Sequence, residues 1–299
     1  MPEVILHHYE LSPFGTAMRL ALGLKGISWK SVDAPLVSPK PDLSALTGGY
    51  ERIPVLQVGA DVYCDTDCIT TALELHTPEP SLYPQPLGRA GKLIAQWAGN
   101  SWFMPAAGTA LGANPDSLPD AFWEDRKKRF GMDRKTFLPA IPHLQSQFAA
   151  GASYLAGALD DGRAFIAGDA PGHADLTLYM IMRFVQLAAI APADYGNKVA
   201  AWYERVEAIG NGDFEQWTPE QAIHHARDNT PTAPCEVSAG QGWSAGQQVS
   251  IRTESPDPAT VEGTLIGLND ERISIAREDP QAGAVHVHFP RMGQILSPV

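Results

Sequence analysis

The chain has 299 residues, enough for two domains or two and a fraction. An apolar fraction of 44% and a charged fraction of 19% are those of an ordinary soluble globular protein, and a net charge of −12 argues against a nucleic-acid backbone or an anionic membrane surface, which attract clustered Lys and Arg. With no 18-residue apolar run, no secretory pattern in "MPEVILHHYELSPF" and three cysteines instead of a disulfide framework, a reducing cytoplasm is the expected location.

The first eighty residues read as an α/β unit. "EVILHHY" is a strand, and Ser12 then offers an N-cap with Pro13 in the first helical position, where its missing N–H costs nothing. Phe14, Ala17, Met18, Ala21 and Leu24 follow at helical spacing until Gly26 ends the pattern. "ISWKSV" (27–32) is a second strand, and Pro35, Pro39 and Pro41 make the next stretch too proline-rich for a long helix. "IPVLQVGADVYCD" (53–65) predicts a hairpin turning at Gly59-Ala60-Asp61, and "TDCITTALELH" (66–76) a helix capped by Asp65 or Thr66.

A linker with four prolines, "TPEPSLYPQPLG" (77–88), leads to an almost wholly helical stretch. Residues 89–99, 120–131, 142–159, 174–190 and 197–210 each carry apolar residues three and four apart, which predicts a helix bundle. Near residue 228 the composition changes again. "QQVSIRT", "TVEGTLIGLN", "RISIARE" and "AVHVHFP" alternate apolar and polar residues between turn signals, as in a small closed β-barrel of the SH3 or Sm type. The expected domains are therefore 1–78 (α/β), 88–227 (all-α) and 235–299 (all-β). The last holds eight acidic residues against four arginines, which speaks against RNA binding and leaves packing on the bundle, modification of the dimer or a protein partner.

Three further stretches give the Ser12-Pro13-Phe14 junction a chemical context. Pro54 inside a strand marks an edge, a bulge or a cis bond, and a cis bond would turn the backbone of Ile53 towards a ligand. "CDTD" (64–67) places Asp65 and Thr66 at a helix start, where free N–H groups and the positive dipole end can hold a carboxylate. "FIAGDAPGHADLTLY" (165–179) puts Asp175 three residues after Gly172, half of a reciprocal cap, from which Asp175 can still accept the Gly172 N–H.

In these motifs the chain resembles the glutathione transferase superfamily, over about residues 3–215. The stretch Ser12 to Arg19 looks like the S/C-P-F-x-x-x-x-R pattern of omega-, zeta- and bacterial-type members. The resemblance implies a thioredoxin-like first domain and an all-helical second one, commonly as a homodimer. It places Ser12 at the sulfur of glutathione, Ile53 and the cis-proline Pro54 at its cysteinyl part, Arg52 at the glycyl end, and Asp65 with Thr66 at the γ-glutamyl group. Asp175 falls on the bundle's capping motif. Glutathione would be a co-substrate, and no metal is called for.

A free thiol has a pKa near ~8.5, and the nucleophile is the thiolate. A serine hydroxyl at a helix N-terminus donates to that anion while the dipole adds positive charge, together enough to lower the thiol pKa by about one unit. With Ser in place of Cys at position 12, disulfide reductase chemistry is disfavoured. Transfer to a small hydrophobic electrophile is the expected reaction, with a glutathione-dependent isomerisation or dehalogenation, or a non-catalytic scaffold, as alternatives. Tyr9 rivals Ser12 for the thiol contact, and Arg19 reads as structural. Trp97, Trp102, Phe103 and Met104 are either core aromatics or part of the electrophile pocket. Cys64 and Cys68 read as packing, His286 with His288 as a surface strand pair, and "EDRKKR" (124–129) as a solvated helix face.

Overall fold

Near-continuous burial marks the first strands. In a computed structural model, which describes residues 3–299, β1 (Val4–His8) is buried along its whole length, because helices cover both faces of the sheet around it. It runs parallel to β2 (Trp29–Asp33) and antiparallel to β3 (Val55–Val58), which turns into β4 (Asp61–Cys64). Helices α1 (Pro13–Leu24), α2 (Pro41–Thr47) and α3 (Thr66–His76) complete the thioredoxin-like unit. The proline-rich stretch does hold a short helix, because Pro41 sits in the first helical turn, where proline is tolerated.

The bundle consists of α4 (Ala90–Trp97), α5 (Phe103–Gly112), α6 (Asp120–Phe130), α7 (Arg134–Ala158), α8 (His173–Val185) and α9 (Asn197–Glu207). A single π-turn, Ala98–Trp102, joins α4 to α5. The chain then returns to the first unit. β5 (Phe214–Trp217) pairs in parallel with β2, Trp29 opposite Phe214, and α10 (Pro219–Arg227) follows.

The strand-rich C-terminal region is present as expected: β6 (Gln248–Thr253), β7 (Thr260–Leu268), β8 (Arg272–Asp279), β9 (Gly283–Pro290) and β10 (Gln294–Pro298). Its attachment was not foreseen. β9 pairs in parallel with β4, Tyr63 opposite His288, so that one ten-stranded sheet runs β10-β6-β7-β8-β9-β4-β3-β1-β2-β5. Among the described residues no ladder joins β9 to β10. The meander continues the thioredoxin-like sheet, β10 pairs back on β6, and the bare edge of β4 is covered by β9.

Two large apolar cores flank this sheet. One joins Leu6, Met18, Leu22 and Ile69 to the bundle's Trp102, Phe148, Met180 and Trp202. The other lies between α2, α10 and the C-terminal strands and holds Leu46, Val55, Val62, Cys64, Ile223, Ile251, Val285 and Phe289. Each large side chain fully buried there contributes roughly 1.5–3 kcal/mol. No helix among the described residues is long and apolar enough to cross a membrane.

Candidate active site at the first helix

Ser12 caps α1 from extended backbone, and its Oγ accepts the Gly15 N–H at 3.1 Å. That bond uses a lone pair and leaves the hydroxyl proton to be donated; among the described residues it has no acceptor. The residue is only 2% exposed. Arg19 braces the junction, donating to Glu10 O at 3.1 Å and Thr16 Oγ1 at 3.0 Å and pairing with the Glu10 carboxylate at 3.2 Å. It also donates to His8 Nδ1 at 3.1 Å, so the His8 proton resides on Nε2, which meets Ser31 Oγ at 3.0 Å. Burial, and then the Arg19 charge, lower the His8 pKa to about 4. Burial raises the phenol pKa of Tyr9, the rival thiol contact.

The second piece is the start of α3. Asp65 adopts φ 76°, a conformation that costs a non-glycine residue about 1–3 kcal/mol and clusters at functional sites. Its carboxylate accepts the Asp67 N–H at 3.1 Å, and burial followed by the neighbouring Asp67 charge pushes its pKa up to about 6. Thr66 opens the helix beside it. From the bundle, Gln96 Nε2 donates to Asp67 Oδ2 at 2.8 Å. The Ile53–Pro54 peptide is cis, and Ile53 just before β3 pairs neither its N–H nor its C=O with other backbone among the described residues.

Arg52 has partners that sequence reading did not foresee. Its Nε donates to Asp257 Oδ2 at 3.0 Å, its Nη2 donates to Arg129 O at 3.0 Å and to Ser255 Oγ, and its guanidinium lies 4.7 Å over the Phe130 ring. Arg129 itself binds Asp257 Oδ2 at 2.9 Å and Glu51 at 2.9 Å. The solvated face expected for residues 124–129 is corrected in part: Glu124, Lys127 and Lys128 are exposed, but Phe122, Asp125 and Arg129 are buried, and Asp125 Oδ1 accepts the Ser38 N–H at 2.9 Å. Their i, i+3, i+7 spacing was the signal available in the sequence. Lys40 was also missed. It is 4% exposed, its Nζ has no hydrogen-bond or ion-pair partner among the described residues, and burial with the Arg129 charge lowers its pKa to about 8.

Near Ser12, Phe14 packs on Phe103 at 4.8 Å, Phe103 stacks on Phe184 at 5.9 Å, and Gly99 of the π-turn lies against Phe14. Of the bundle aromatics, Trp102 is buried core and donates to Phe148 O at 3.1 Å, while Phe103 faces this wall. Asp175 is fully buried and accepts from the N–H groups of Ile166, Ala167 and Gly172 at 2.7, 3.2 and 3.1 Å and from Trp202 Nε1 at 2.8 Å. Cys64 and Cys68 are buried and free. The surface position expected for His288 is corrected: it is wholly buried, between Asp61 and Ser274. Among the described residues no group of three or more His, Cys, Asp or Glu is arranged to hold a metal.

Residues 6–81 match the family model of the glutathione S-transferase N-terminal domain. A solved GST-like protein from Pseudomonas syringae is 35% identical, with both chains covered over 100% of their length and a TM-score of 0.83. A glutathione S-transferase from Rhodospirillum rubrum F11 shares the fold at 21% identity and TM-score 0.54, over 69% of this chain and 88% of its own. So does a maleylacetoacetate isomerase from Anaeromyxobacter dehalogenans 2CP-1 with bound GSH in its active site, at 20% identity and TM-score 0.50, over 71% of this chain and 97% of its own. No curated protein matches the chain.

Proposed function

The chain belongs to the glutathione S-transferase family, and from that premise we propose that it binds glutathione and activates its thiol for attack on a small hydrophobic electrophile. The observation that carries the reading is the Ser12 hydroxyl, fixed by the Gly15 N–H with its proton uncommitted at a helix N-terminus. In this reading the proton is donated to the glutathione thiolate, and the helix dipole adds to the stabilisation. The unpaired backbone of Ile53 takes the cysteinyl part. Asp65 and Thr66 take the γ-glutamyl group, whose ammonium pairs with the Asp65 carboxylate. Arg52 takes the glycyl carboxylate, and the Phe14–Phe103–Phe184 wall receives the electrophile.

A second reading, a glutathione-dependent isomerase, has the same binding chemistry and is favoured by the likeness to the maleylacetoacetate isomerase fold. A third, a non-catalytic scaffold, is favoured by the burial of Ser12. Calorimetric titration with glutathione, with the bound thiol titrated by its ultraviolet thiolate absorbance, separates binding from activation. Ser12→Ala is expected to retain binding but raise the bound thiol pKa by about one unit. Asp65→Ala is expected to abolish binding. Wild-type affinity is expected to fall below about pH 6, as the Asp65 carboxylate becomes protonated. No saturation at millimolar glutathione refutes the reading.

A further inference from the structure

We propose that the loop of residues 254–258 is an internal occupant of the glutathione site, with the Asp257 carboxylate holding on Arg52 the place that the glycyl carboxylate takes when glutathione binds. This rests on the glutathione reading above. Asp257 is 1% exposed in its side chain, and its Oδ2 lies between two guanidinium groups, 3.0 Å from Arg52 Nε and 2.9 Å from Arg129 Nη2. Its other oxygen accepts the Ala259 N–H at 3.1 Å. Two arginines converging on one carboxylate form the arrangement that recognises a carboxylate ligand, and here the chain supplies the carboxylate itself.

The occupation is complete enough to matter. Both edges with which an arginine grips a carboxylate use Nη2, and the Nη2 hydrogens of Arg52 are already given to Arg129 O and Ser255 Oγ. Ser12, assigned to the other reactive part of the tripeptide, is likewise shut from solvent. Two elements close on Arg52. One is α6, which reaches the first unit through Asp125, Arg126 and Arg129 at Ser38, Leu36 and Glu51. The other is the β6–β7 loop, whose Pro256 lies beside Gly131 just past α6.

Polar groups fasten this loop to Arg52, so one carboxylate can replace another without opening an apolar core. The cluster contains four cations (Lys40, Arg52, Arg126, Arg129) and three anions (Glu51, Asp125, Asp257), and Lys40 is the cation without a contact partner among the described residues. An arriving carboxylate therefore enters a cluster in which one cation is still without a carboxylate partner. The molecule is self-closed, and its affinity for glutathione is lowered by the fraction of time the loop is seated.

The test compares glutathione with γ-glutamylcysteine, which lacks the glycine, by calorimetry on the full chain. The proteins are wild type, Asp257→Asn and Ser255→Ala, each with a thermal melt to show that it is folded. Asp257→Asn is expected to bind glutathione at least about tenfold more tightly and to change γ-glutamylcysteine less than about twofold. Ser255→Ala frees one Nη2 hydrogen of Arg52 while leaving Asp257 paired with both arginines, and is expected to shift glutathione in the same direction by a smaller factor; it carries the test if Asp257→Asn does not fold. Unchanged or weaker glutathione binding in the folded variants overturns the internal occupant and leaves the glutathione reading intact. Equal tightening of both ligands also overturns it, because the loop would then not hold the glycyl place. Binding of neither ligand to any of the proteins overturns the glutathione reading, and this inference falls with it.

Discussion

Replacing Asp61 with alanine should be among the most destabilising single changes in the first sheet. The side chain is buried and accepts at both oxygens: Oδ1 from His288 Nε2 at 3.0 Å, Oδ2 from the N–H groups of Thr232 and Ala233 at 2.7 and 2.9 Å. One carboxylate thus ties β4 to β9 and to the chain segment leading into the C-terminal strands. Burial pushes its pKa up, but the hydrogen bonds from His288 and Thr232 outweigh burial and hold the carboxyl below its ordinary value. Asp61→Ala strands three buried donors at about 1–3 kcal/mol each, less what water recovers, giving a loss of about 3–6 kcal/mol. Asp61→Asn keeps an acceptor for the two backbone groups and should lose about 1–2 kcal/mol. Urea unfolding followed by circular dichroism measures both, since the midpoint reports stability when the slope is unchanged. Asp61→Ala within 1 kcal/mol of wild type would refute the reasoning, and so would a loss no larger in Asp61→Ala than in Asp61→Asn.

Other expectations follow from the same kind of accounting. Burial holds His7, His8 and His173 neutral, each with its pKa lowered to about 4, whereas the unfolded chain protonates them near 6.5. Between those values the unfolded state binds more protons, so stability should fall on acidification from about pH 6.5 by up to about 4 kcal/mol per pH unit. Below about pH 6 Asp65 opposes this, being protonated in the fold but ionised in the unfolded chain, and offsets about one of the three protons. Urea midpoints that are flat or rising from pH 7 to 5 would contradict this sign. Asp175→Ala should cost about 3–5 kcal/mol by urea unfolding, because four buried donors lose their acceptor. Gly23→Ala would drive a methyl group into the backbone carbonyl of Gly210, so a loss of about 1–3 kcal/mol is expected, with faster hydrogen exchange in β5. Wild-type exchange there would contradict it.

The parts legible in the sequence are those with a local cause. Ser12-Pro13 starts a helix because a hydroxyl cap and a fixed φ suit that position, and Asp65 and Asp175 announce themselves by their distance from the N–H groups they accept. The order of the first strands and of α1 and α3 was readable for the same reason, whereas α2 was read as a loop and the thioredoxin-like fold came with the family resemblance. Illegible were contacts whose two halves lie far apart in the chain. "FEQW" carries no mark that it will pair with Trp29–Val32, and nothing around Asp257 names Arg52 and Arg129 as partners. His286 and His288 alternate as on an ordinary half-exposed strand, and only the pairing of β9 with β4 buries the second of them against Asp61. Lys40 offers no pattern at all; its interest lies in what surrounds it.

The ten-stranded sheet also sets a timetable. β1 to β4 leave the ribosome first, yet β2 receives its outer neighbour from residues 214–217 and β4 from residues 283–290. At roughly 5–20 residues per second, the nascent chain carries two bare strand edges for on the order of ten seconds or longer. Bare edges recruit other strands, and on a polysome the nearest candidates are identical nascent chains. Fragments ending before residue 214 keep both edges open for good, and those ending between β5 and β9 keep one.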